Sequence, residues 1–133
     1  MICAVLDTNV LVSALLSKSA ESTISRLIQA VIDGKIKTMY SSEIIEEYRE
    51  VLSREKFHFP KVLQNALIDY ILKNGIDSER VHYDEMLPDE DDRIFYEVTL
   101  SRDDAFLVTG NLKHFPVSPI VVTPAEMLGI LAG

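Results

Sequence analysis

The stretch "ICAVLDTNVLVSALL", residues 2–16, sets five apolar residues in a row before the polar triplet Asp7-Thr8-Asn9, then resumes with apolar residues at helical spacing. An apolar run without alternation suits a strand covered on both faces, which belongs in a parallel sheet flanked by helices. Similar runs recur at 36–40, 105–109 and 120–123, with a weaker one at 80–83. Stretches of helical spacing lie between them, at 10–16, 23–32, 43–52, 61–72, 91–100 and 125–131. Strands alternating with helices predict an α/β three-layer sandwich with a central, mostly parallel sheet. In such sheets ligands bind beyond the carboxyl ends of the strands, where strand order reverses. Asp7 directly follows the first strand and so falls on that edge, with Asn9 opening the next helix. Taken alone, the triplet is also adequately explained as a helix cap.

Composition bounds the alternatives. A chain of 133 residues, 47% hydrophobic and 26% charged, is too apolar for disorder and predicts one domain over residues 1–133. Cys3 is the single cysteine, so no internal disulfide is possible, and the N-terminus lacks the pattern of a secretory signal. A cytoplasmic protein with no membrane span is expected. The net charge of -8 argues against a broad electrostatic grip on nucleic acid. A phosphate-bearing partner then needs a cation or a few local basic groups.

Three further segments point to the edge that holds Asp7. In "SSEIIEEYREVL" (41–52) the apolar stripe runs through Ile44, Tyr48, Val51 and Leu52, and Glu47 lies along its rim, whereas Glu43, Glu46 and Glu50 face solvent. In "LPDEDDRIFYEV" (87–98) four acids precede a helix; Asp89 and Asp92 are three apart, and Asp92 lies one turn before Phe95 and Tyr96. In "FLVTGNLKHF" (106–115) a strand ends at Thr109, and Asn111 stands ready to cap a short helix. Each feature has an ordinary structural account: Glu47 as a paired edge residue, the acids as dipole complements, Thr109 and Asn111 as local hydrogen-bonding groups.

Together, Asp7-Thr8-Asn9, Glu47 within "EEYREVL", "DEDDRIF", and "VTGNLKHF" followed by "IVVTPAEML" resemble the PIN-domain ribonucleases. The similarity is closer still to the bacterial PIN proteins that act as toxin components of toxin-antitoxin systems. The resemblance implies a metal-dependent endoribonuclease with an acidic pocket for Mg²⁺ or Mn²⁺. By motif, Asp7, Glu47 and Asp92 are its catalytic and metal-binding acids, with Asn9, Asp89, Thr109 and Asn111 in support. It further implies RNA as substrate, an antitoxin protein as partner, and a homodimer. The family commonly has a fourth acid where Asn111 stands, which lowers the charge available to a second metal.

The chemistry is consistent with that resemblance. Hard divalent cations prefer carboxylate oxygens, and a metal can orient water and stabilise charge on a phosphate in hydrolysis. Lys18, Arg49, Arg93, Lys113 and His114 are the candidate phosphate contacts, with His114 read as solvent-exposed. His58 falls in a loop and His82 in the weak strand; three scattered histidines and one cysteine do not make a zinc site. The alternative is a catalytically weak PIN-like module that binds RNA or protein. A receiver-like phosphoacceptor fits less well, because Ser41 and Ser42 stand where its acceptor Asp belongs.

Overall fold

The computed structural model describes all 133 residues. Five strands, β1 (Ile2–Leu6), β2 (Ile36–Tyr40), β3 (Ile76–Asp77), β4 (Phe106–Val108) and β5 (Val121–Val122), form one sheet in the order β3-β2-β1-β4-β5. Every pairing is parallel. Six helices accompany them: α1 (Thr8–Leu16), α2 (Thr23–Ile32), α3 (Ser42–Leu52), α4 (Lys61–Asn74), α5 (Arg93–Thr99) and α6 (Pro124–Ala132). Helices flank the sheet as the three-layer reading requires. α2 and α4 pack on β2, and α5 packs on β1 and β4. No helix is long and apolar enough to cross a membrane.

Covering both faces explains the unalternating strands: Cys3 to Leu6 are all buried, as are Leu107 and Val108. The helix starts follow from local chemistry. The Ser22 and Ser41 hydroxyls accept from the amides of Ser25 and Ile44, and Thr123 with Glu126 forms a reciprocal capping box ahead of α6.

Two expected elements differ. Residues 80–83 form no strand; the sheet edge is β3 instead. The buried Glu97 carboxylate accepts from Arg80 and from the Tyr83 amide, and the Glu97 carbonyl accepts from Val81, so this segment is drawn onto α5 rather than the sheet. The helix expected over 91–100 begins at Arg93, because Glu90–Asp92 winds into a tighter 3-10 turn.

The chain runs outward from β1 to β2 and β3, then crosses back to β4 and β5, so strand order reverses between β1 and β4. The carboxyl ends of those two strands therefore border the crevice where such sheets bind ligands. At the opposite end, Gly75 joins α4 to β3 in a space too small for a side chain. A Cβ there would lie 2.6 Å from the Ile71 carbonyl oxygen and 2.7 Å from Thr38 Oγ1. Gly75→Ala is therefore expected to destabilise the fold by about 1–3 kcal/mol, read as a lower urea midpoint with an unchanged m value.

Candidate metal centre

The β1–β4 register builds the first half of the site. Leu6 pairs with Val108, so the next residues, Asp7 and Thr109, meet beyond the strand ends. The Asp7 amide donates to the Val108 carbonyl at 2.9 Å, and the Thr109 hydroxyl donates to Asp7 Oδ2 at 2.7 Å. Asn9 Nδ2 donates to the same oxygen at 3.0 Å, while Asn9 Oδ1 accepts from the Gly110 amide at 3.1 Å. The capping account of the triplet thus fails. Neither Asp7 nor Asn9 makes a side-chain cap to α1; Asn9 ties the Asp7 carboxylate to the loop after β4.

Burial holds the Asp7 carboxyl above its usual range, against the opposing pull of Thr109, the Thr8 amide, His114 and Asn9. Beside it the Thr8 hydroxyl is buried with no hydrogen-bond partner in the protein.

The second half comes from the acidic segment before α5. Phe95 and Val98 anchor that helix in the core, which fixes Asp92 at its mouth. Burial first, and then the Asp7 and Asp89 charges, push the Asp92 carboxyl up to about 6, with His114 drawing it back. His114 Nδ1 lies 3.0 Å from Asp92 Oδ2 and 3.6 Å from Asp89 Oδ2. The ring is therefore not the exposed group expected from sequence. The 3-10 turn Leu112–His114 carries it back over the site, where Asn111 Nδ2 sits 2.8 Å from its Nε2. Asn111 forms no side-chain cap; its amide donates to Thr109 Oγ1 at 2.9 Å, which completes a chain from Asp7 through Thr109 to the 111–114 turn.

Glu47 reaches this edge because α3 is pinned beside it. The buried Tyr48 hydroxyl donates to the carbonyl of Leu6, the residue before Asp7. Partial burial is the main cause that raises the Glu47 carboxyl. The charges of Glu50, Asp91 and Asp7 add to the rise, Arg54 opposes it, and no hydrogen bond offsets it. Glu43 and Glu50 instead pair with Arg80 and Arg54. Among the basic candidates, Lys18, Arg49 and Lys113 are exposed, but the Arg93 guanidinium is occupied by its own loop and is not free for phosphate.

Asp89, Asp92 and His114 offer ligand atoms that all lie within 4.8 Å of one another. Two carboxylates and an imidazole suit a divalent cation, and the like charges around Asp92 are the feature a cation would neutralise.

A family model described as PIN domain matches residues 3–113. The chain belongs to the PIN domain family. No curated protein and no solved structure matches it. In this PIN domain the match runs from β1 to Lys113, so it takes in Asp7, Glu47, Asp89, Asp92 and Asn111 and stops one residue short of His114.

The raised carboxyl has a consequence for stability. A carboxyl whose folded value lies above its ordinary 3.8 favours the folded state only while protonated, so its contribution is lost as pH rises from 3.8 to about 6. For Asp92 that loss amounts to roughly 2–3 kcal/mol. Glu97 and Glu90, held low by hydrogen bonds and by Arg80 and Arg93, act in the opposite sense, and their contribution disappears in more acid solution. In chelator, the melting temperature of this PIN domain should peak near pH 5 and decline towards pH 7. Melting curves at a series of pH values check this; a melting temperature that rises steadily to neutrality would contradict it.

Proposed function

We propose that this PIN domain is a metal-dependent endoribonuclease acting as the toxin of a toxin-antitoxin pair. The observation that carries the reading is the cluster of Asp89, Asp92 and His114, under the charge of Asp7 at the β1–β4 switch point of a PIN-family chain. Asp89, Asp92 and His114 form the compact set, and Asp7 and Glu47 stand outside it, with the Asp7 charge acting on both Asp92 and Glu47. Mg²⁺ or Mn²⁺ suits the carboxylates, and a ring nitrogen in the set favours Mn²⁺. When bound, the cation supplies Lewis acidity towards a phosphate oxygen and an attacking water.

The protein groups have separable tasks. Thr109 and Asn9 fix the Asp7 carboxylate by two hydrogen bonds to one oxygen. His114 and Asn111 orient Asp92. Glu47, raised and without a compensating hydrogen bond, is the carboxylate suited to accept the water's proton. Asn111 adds no charge, which favours one tightly held cation over two.

The antitoxin and homodimer readings draw on another region. Ile32 and Leu63 are exposed at an apolar cleft of about 350 Å³ between α1, α2 and α4, more apolar surface than a sheet-facing helix needs. The deciding experiment is cleavage of total RNA by purified protein with Mn²⁺ or chelator, comparing wild type with Asp7→Asn, Glu47→Gln and Asp92→Asn. Metal-dependent cleavage lost in all three folded variants supports the nuclease. RNA binding without cleavage by the wild type would favour the binding module instead.

A further inference from the structure

Arg93 stands next to Asp92 in a chain whose net charge is -8, yet its guanidinium faces its own backbone rather than the crevice. Nε donates to Glu90 Oε1 at 3.0 Å, Nη1 to the Tyr83 carbonyl at 2.7 Å and Glu97 Oε2 at 3.2 Å, and Nη2 to the Glu85 carbonyl at 2.8 Å and Glu90 Oε2 at 3.0 Å. A guanidinium has five N–H donors, and all are matched here. Its acceptors span residues 83–97, so one side chain gathers the segment that delivers Asp89 and Asp92 to the site.

The rest of the cluster serves the same segment. Glu90 Oε2 also accepts from the Leu87 amide at 2.7 Å, and Glu97 Oε2 from the Tyr83 amide at 3.0 Å. Leu87 is buried and the Tyr83 ring packs edge-on against Tyr96 at 4.9 Å, so these two amides mark where the segment is stapled down. Between them the backbone has no regular structure of its own. A partly buried ion cluster is a poor source of net stability: its exposed pair with Glu90 contributes little, and apolar packing usually does as well as its buried pair with Glu97. What the fork supplies is one defined path for an otherwise irregular loop.

We propose that Arg93 is a positioning residue for the metal centre: its five-donor clamp on residues 83–97 sets the geometry in which Asp89 and Asp92 meet a divalent cation. The inference rests on the metal-site reading above. Because it depends on fork geometry rather than charge, lysine should not substitute.

Titration of Mn²⁺ into the full chain, followed by the free-ion electron paramagnetic resonance signal and paired with melting temperatures, tests this. Arg93→Lys is expected to raise the Mn²⁺ Kd about tenfold or more, as loss of a group that orients metal ligands does. Ile71→Val, a core change in α4 that also lowers the melting temperature, should leave the Kd within about twofold of wild type. Should Arg93→Lys fail to fold, the exposed Glu90→Gln removes one of the fork's acceptors and is expected to raise the Kd several-fold. Folded Arg93→Lys or Glu90→Gln binding Mn²⁺ as wild type does overturns the positioning role while leaving the metal site standing. A wild type that binds no Mn²⁺ overturns the metal reading itself.

Discussion

Asp92→Asn is expected to lower metal-dependent RNA cleavage on the order of a thousandfold, to weaken Mn²⁺ binding, and at the same time to raise the melting temperature of the metal-free protein at pH 7 by several degrees. The opposite signs arise from one cause. Near neutrality the Asp92 carboxyl, pushed up to about 6, is ionised in a partly buried position beside the Asp7 and Asp89 charges. A neutral amide of the same shape removes that repulsion, and its oxygen or nitrogen still meets His114 Nδ1, which lies 3.0 Å from the carboxylate. What it removes is the negative charge at the centre of the proposed Asp89–Asp92–His114 metal site. The checks are cleavage rates with Mn²⁺ and melting curves in chelator. A variant that is inactive but melts lower than wild type returns Asp92 to a structural role. Added Mn²⁺ should reverse the order of stability, since only the wild type gains from the cation.

How much of this could be read in the sequence depends on the distance over which each feature is determined. β1, β2 and α2 agree with their expected bounds because burial on both faces, or one strong apolar stripe, is written in consecutive residues. The meeting of Asp7 with Thr109 also follows from sequence, since both directly follow apolar strands and parallel register does the rest. β3 escaped because a strand of two residues at a sheet edge needs no apolar run. Asn9 supports Asp7 as the resemblance implies, but the cap account fails: a cap is a local interaction, whereas its partners are Asp7 and the Gly110 amide across the crevice. His114 is half-buried rather than exposed because a 3-10 turn places it beside Asp92. A signal did exist, since residues three apart in such a turn eclipse one another, which brings Asn111 and His114 together. For Arg93 the local spacing offers Glu90 and Glu97, three residues before it and four after, but nothing in it reveals that the Tyr83 and Glu85 carbonyls fold back around the same guanidinium.

Asp7→Asn and Asp7→Ala should both reduce cleavage on the order of a thousandfold, but with opposite effects on folding, and that contrast separates chemistry from architecture. Asp7 is 4% exposed and accepts from the Thr109 hydroxyl and the Asn9 amide through one oxygen. Asparagine keeps an oxygen for those two donors while removing a charge that burial opposes, so the metal-free protein should be as stable as wild type at pH 7, or more so. Alanine leaves the donors facing a small void, and each buried unpaired donor costs about 1–3 kcal/mol. A lower urea midpoint is therefore expected for Asp7→Ala alone. Thr109→Val extends the series: it removes one donor to Asp7 and the acceptor of the Asn111 amide, loosening both halves of the site. Its metal affinity should fall about 10- to 100-fold, the usual effect of losing a group that orients a ligand. If Asp7→Asn instead proved as unstable as Asp7→Ala, the carboxylate would be holding the β1–β4 edge together. Its loss of activity would then say nothing about a metal. If Asp7→Asn folds, binds Mn²⁺ weakly and cannot cut, the charge itself is what the site requires at the end of β1.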